Sequence, residues 1–180
     1  MKRTFLFLVF SLGLQSFAFA QEEEESFEVE IEGKHTISLV LTHSWIRQGR
    51  NFEGDKEYLV VPGFAFDYNY WFTEKWAVGL HTDFLNENFF VETNKGELLE
   101  RDRPIAPALM AVFKPAHRWS FAFGMGREFA DEESFTLTRF SIEYGVELPK
   151  RWEVFGVLTQ DFRWNAYDAT NIGIGLAKRL

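Results

Sequence analysis

The sequence predicts an all-β protein, an eight-stranded antiparallel up-and-down transmembrane β-barrel. Three observations carry that expectation. From residue 35 onward apolar and polar residues alternate with a period of two, the pattern of strands with one apolar side. Aromatic residues make up 18% of the 180 residues, with 21 Phe and 6 Trp. Mean hydropathy is nevertheless −0.19, so the large apolar groups must be interleaved with polar ones. Beyond the N-terminal stretch there is no apolar run of the ~20 residues that a membrane-spanning helix needs, and a bilayer otherwise admits only a closed barrel.

The N-terminus reads as an export signal. Lys2 and Arg3 precede a nearly unbroken apolar stretch from Phe5 to Leu14, and Ala18-Phe19-Ala20 has the small-x-small form of a cleavage site. Residues 1–20 are therefore expected to be a cleaved signal peptide. Residues 21–34, opening with Glu22 to Glu25, are expected to be an acidic, flexible periplasmic lead-in, with the barrel over 35–180. Removing the signal leaves 17 basic against 27 acidic residues, a net charge of −10. That balance argues against nucleic acid as a partner. The absence of Cys excludes disulfides, thiolate metal sites and lipid attachment through a lipoprotein cysteine.

Each strand follows from its alternation. Segment 35–45 sets Ile37, Leu39, Leu41 and Trp45 against Thr36, Ser38, Val40, Thr42 and Ser44. Segment 58–72 sets Val60, Phe64, Phe66, Tyr68, Tyr70 and Phe72 against Gly63, Ala65, Asp67 and Asn69. Segment 76–86 sets Trp76, Val78, Leu80 and Phe84 against Ala77, Gly79, His81 and Asp83. Segment 104–113 alternates weakly around two prolines. Segment 119–128 sets Trp119, Phe121, Phe123 and Met125 against Ser120, Ala122, Gly124 and Gly126. Segment 135–148 sets Phe140, Ile142, Tyr144 and Val146 against Arg139, Ser141, Glu143 and Gly145. Segment 152–163 is mixed, and 170–180 sets Ile172, Ile174 and Leu176 against Asn171, Gly173, Gly175 and Ala177.

Connections alternate between tight turns at 73–75, 114–118 and 149–151 and longer links at 46–57, 86–103, 128–134 and 164–169. Outer-membrane barrels have this layout, and an even strand count puts both termini on the periplasmic side. Each tight turn ends in a basic residue followed by tryptophan, which places Trp76, Trp119 and Trp152 in a periplasmic aromatic girdle. Trp45, Trp164 and Tyr167 would form the upper girdle.

The polar face tells a membrane barrel from a soluble one. A water-facing surface is rich in Lys, Glu, Gln and Asn. Here that face is mostly Gly, Ala, Ser and Thr, which suits the narrow inside of an eight-stranded barrel. Hairpin register across the tight turns sets Asp67 opposite His81, Arg139 opposite Asp161, and Glu147 opposite Glu153. A lumen ion-pair network of Asp67, His81, Asp83, Arg139, Glu143, Asp161, Arg163 and Arg179 is expected, because an unpartnered buried charge is costly. One His with two carboxylates is a weak ligand set, so no metal or cofactor is expected.

The chain resembles the small eight-stranded outer-membrane proteins, such as the transmembrane domain of outer membrane protein A and outer membrane proteins X and W. The resemblance covers 35–180 and rests on strand count, turn and loop alternation and aromatic girdles. The segments Asp67-Tyr-Asn-Tyr-Trp-Phe-Thr-Glu-Lys-Trp76 and Gly173-Ile-Gly-Leu-Ala-Lys-Arg-Leu180 look like those of such barrels. The family pattern implies a terminal aromatic residue, and this sequence has Leu180 there.

The leading expectation is a monomer in outer-membrane lipid with a structural, adhesion or surface-binding role. Loop 86–103 holds Phe89, Phe90 and Val91 and then a charged tip through Glu100 to Arg103, which fits either an extracellular partner bound by strand addition or packing over the barrel mouth. A narrow pore for small or hydrophobic solutes is the alternative. A lipid-modifying enzyme needs Ser or His with a carboxylate near the loop end. His43 and Ser44 are neighbours on one strand and so face opposite ways. No catalytic residue is expected.

Overall fold

The computed structural model describes residues 33–51 and 53–180. The expected signal peptide (1–20) and all but the last two residues of the acidic segment (21–34) lie outside the described residues.

Eight strands close into one antiparallel barrel. They are β1 (His35–Ile46), β3 (Leu59–Trp71), β4 (Trp76–Leu85), β7 (Ile105–Ala116), β8 (Trp119–Glu128), β9 (Phe135–Leu148), β10 (Trp152–Arg163) and β11 (Asp168–Arg179). Their order around the wall is β1-β11-β10-β9-β8-β7-β4-β3, so the first and last strands pair and no barrel edge is left open. The all-β, eight-stranded expectation is met. One feature differs. The longest link is a small sheet of its own: β5 (Phe89–Glu92) and β6 (Leu98–Arg101) form a hairpin, and β2 (Gly49–Arg50) joins β5. Four-residue strands are too short to show periodicity in sequence.

Three short connections lie at one end, called here the turn end, and the longer ones lie at the loop end. The 3₁₀ turn Pro149–Arg151 holds Lys150 and Arg151 at φ of 64° and 62°. Register follows from these turns: Asp67 faces His81, Arg139 faces Asp161, and Tyr144 faces Gly156.

The outer wall is apolar and exposed. Leu41, Phe66, Leu80, Leu109, Phe123, Phe140, Leu158 and Ile174 all stand outward. An apolar belt of that extent has no place in water and belongs in hydrocarbon. Trp76, Trp119 and Trp152 stand outward together at the turn end, and Trp45 and Trp164 at the loop end. Tyr167 departs from the girdle expectation: it is buried, 1% exposed, because its phenol turns inward to a carboxylate. The weakly patterned β7 turns Ala106, Ala108, Met110 and Val112 inward, giving that wall an apolar inner side.

Small residues make room for large ones inside. Gly175 faces Phe155 across the β10–β11 ladder, and a Cβ there would run into the phenyl ring. Gly175→Ala is expected to destabilise the barrel by about 1–3 kcal/mol through overpacking. Urea unfolding in lipid vesicles checks this, and an unchanged midpoint would mean that Phe155 swings freely toward the turn end.

Candidate functional site

Inward parity brings charged side chains from separate strands into one narrow bore. Arg139 on β9 stands at the centre. Its Nε donates to Asp161 Oδ1 at 2.7 Å, and its Nη2 donates to Asp161 Oδ2 and to Asp83 Oδ2, both at 2.8 Å. Asn171 Nδ2 donates to the same Asp83 oxygen at 3.3 Å. Fork geometry makes the Arg139–Asp161 pair directional as well as strong.

Above it lies a second group, of which only Arg163 was expected from the sequence. Glu128 is fully buried at the end of β8. It accepts from Arg101 Nη2 at 2.5 Å, from Arg101 Nε at 3.1 Å, from Tyr167 Oη at 2.8 Å, and from Arg163 Nε. Arg101 Nη1 also donates to the Glu133 carbonyl at 2.6 Å. Arg163 Nη2 lies 3.5 Å from Asp161 Oδ2, which joins the two groups. Burial pushes the Tyr167 phenol well above its ordinary pKa, so it stays protonated and donates. Glu128 is in phase with Ser120, Ala122, Gly124 and Gly126, so its inward aim was legible. Arg101 was not, because it arrives from the hairpin rather than from the wall.

The eight residues expected in the lumen separate into four places. Asp83, Arg139, Asp161 and Arg163 share the continuous chain of contacts just described. Asp67 and His81 sit beside it. Their closest approach is 3.8 Å, while His81 Nε2 is 2.9 Å from Asn69 Oδ1. Glu143 lies lower, on the wall of a cavity open to the turn end. Arg179 is at the turn end itself, where Nε donates to the Gly33 carbonyl at 2.6 Å and the guanidinium lies 5.6 Å from the Trp71 ring.

That lower cavity has a volume near 320 Å³ and reaches from Arg179 and Trp71 up to Glu143 and Phe155. On its wall Glu147 faces Glu153, a like-charge pair that costs energy when left alone. Lys114 from β7 relieves it, with Nζ 3.4 Å from Glu153 and 3.7 Å from Glu147. A chamber of only about 20 Å³ follows above Glu143, lined by Asp67, His81, Asp83 and Arg139. At the loop end the bore is filled: Ile46, Val61, Leu85, Phe135 and Tyr167 pack with Phe89 and Val91 of the hairpin. Among the described residues no group of His, Asp and Glu is arranged to hold a metal ion.

No protein-family model matches the chain, and no curated protein matches it. Solved structures do. The attachment invasion locus protein Ail of Yersinia pestis is 14% identical, with a TM-score of 0.52 over 82% of this chain and 99% of that one. Neisserial surface protein A is 6% identical, with a TM-score of 0.53 over 82% and 97%. The outer membrane protein OprG of Pseudomonas aeruginosa is 11% identical, with a TM-score of 0.52 over 83% and 98%. The chain has the fold of the small outer-membrane β-barrels. At these identities the likeness is one of fold alone. Ail has also been crystallised with a heparin analogue, sucrose octasulfate.

Proposed function

We propose that this protein is an integral outer-membrane barrel whose role is exercised by its loop-end surface, in adhesion, binding or envelope structure, and not by transport. The observation that carries this reading is the filled upper bore. Hairpin residues Phe89 and Val91 cover the mouth, and Glu128 ties Arg101 of the same hairpin to Arg163 of the wall. Below them the Arg139–Asp161–Asp83 contacts cross the middle. On this reading the loops face outward, both termini are periplasmic, residues 1–20 are removed on export, and Trp76, Trp119 and Trp152 mark the periplasmic boundary. The inward charges then serve the barrel's stability rather than chemistry.

The 320 Å³ turn-end cavity favours the second reading, a narrow pore, because it opens the bore from the turn end as far as Glu143. Single-channel recording in planar bilayers separates the two. Closed or only brief, small currents are expected, and sustained large openings would overturn the surface reading. A pull-down with the 93–97 hairpin tip intact or replaced then tests whether the hairpin meets a partner.

A further inference from the structure

We propose that the outer wall at the loop end carries a binding site for a neutral or amino sugar, built on Trp164. This inference rests on the outward-facing loop end of the proposed function. Trp164 follows the last residue of β10 and is 53% exposed, yet it is not loose. Its indole N–H donates to Thr138 Oγ1 at 3.0 Å, and its backbone N–H donates to the Thr136 carbonyl at 2.9 Å. Asn165 beside it adopts a left-handed φ of 60°, which turns the chain sharply. The ring is thus a fixed flat platform whose only polar atom is already satisfied by Thr138 on the outer face of β9.

The β5–β6 hairpin tip completes the site. Thr93 Oγ1 accepts the backbone N–H groups of Lys95 and Glu97, both at 3.3 Å, which holds the tip in shape. Between tip and wall lies an open groove of about 250 Å³, lined by Trp164, Asn165, Thr93, Lys95, Glu97 and Glu133. Pockets for drug-sized ligands run to roughly 300–1,000 Å³, so this one suits a fragment such as a single ring. A pyranose has an apolar face that stacks on a flat aromatic and a rim of hydroxyls that need both donors and acceptors. Asn165 and Lys95 supply donors, and Glu97 and Glu133 supply acceptors. Two carboxylates against one ammonium disfavour sulfated or phosphorylated sugars, in contrast to the polyanion seen with Ail.

The sugar could belong to a glycolipid of the same membrane or to a soluble glycan. The purified full chain in phospholipid nanodiscs is titrated by NMR with glucose, galactose, N-acetylglucosamine and glucosamine, with sucrose octasulfate and tetralysine alongside. Saturable binding of at least one neutral or amino sugar is expected, with no binding of the octasulfate. Trp164→Ala should weaken it about tenfold or more, and Trp164→Tyr, which keeps a platform, by much less. Heat-modifiable gel migration verifies that both variants fold. In nanodiscs containing lipopolysaccharide, loss of free-sugar binding identifies the glycolipid as the source, and retained binding identifies a soluble glycan. Failure of all four sugars, equal binding by Trp164→Ala, or capture of tetralysine instead would overturn the site. Labelling of Asn94→Cys on intact cells tests orientation separately. An unlabelled tip with intact sugar binding would sink the outward-facing reading alone.

Discussion

Arg139→Ala is expected to lower the unfolding free energy by about 3–5 kcal/mol, measured by urea titration in lipid vesicles. The guanidinium is 1% exposed and touches Asp161 and Asp83 together. Its removal leaves two carboxylates in a narrow bore with one cation, Arg163, at 3.5 Å from one of them. The cost comes from that uncompensated charge. It does not measure what the intact pair contributes over an apolar filling, which is often close to zero. Asp161→Asn should cost less, about 1–3 kcal/mol, because an amide oxygen can still accept from Arg139 and Asp83 keeps its own bond. A loss below about 1 kcal/mol for Arg139→Ala would mean that water enters and solvates the acids.

Glu128→Ala should cost a similar amount and should also free the hairpin. One carboxylate accepts from Arg101, Arg163 and Tyr167, so its loss strands three buried donors at once. Arg101 belongs to β6 while Glu128 and Arg163 belong to the barrel wall, so the tie between lid and wall goes with it. Stability is expected to fall by about 3–5 kcal/mol, and limited proteolysis within 86–103 should become markedly faster. Arg101→Met separates the two effects: it keeps the stem length, frees the hairpin, and leaves Arg163 and Tyr167 on Glu128. Unchanged proteolysis in both variants would show that Phe89 and Val91 hold the lid without the charge.

Substitutions at Arg139 and Glu128 probe parts of the bore that were unequally legible. Arg139 opposite Asp161 follows from the three-residue turn before Trp152, because a tight turn sets the register and the register sets every pair along it. Asp67 opposite His81 follows in the same way, but the register gave only the pairing of backbones. The His81 ring bonds Asn69 instead, since rotamer choice depends on the space that neighbouring strands leave. Glu147 facing Glu153 looked like a conflict until Lys114 arrived from β7, which is not adjacent to either strand in the wall.

By itself the sequence determined the eight wall strands, the inward and outward faces of those that alternate clearly, and the registers across the tight turns at 73–75 and 149–151. These depend on a period of two and on local turn chemistry, both of which are written in consecutive residues. Only the tertiary structure decided what fills the bore. Closure of β1 on β11 brings side chains from strands far apart in sequence within hydrogen-bonding distance, so Arg139 reaches Asp83 as well as Asp161. Folding of the hairpin over the mouth then delivers Arg101 to Glu128, and Tyr167 turns inward to join them. Contacts of that kind arise from the curvature of the closed wall and the packing of one long connection, neither of which leaves a periodic trace in the chain.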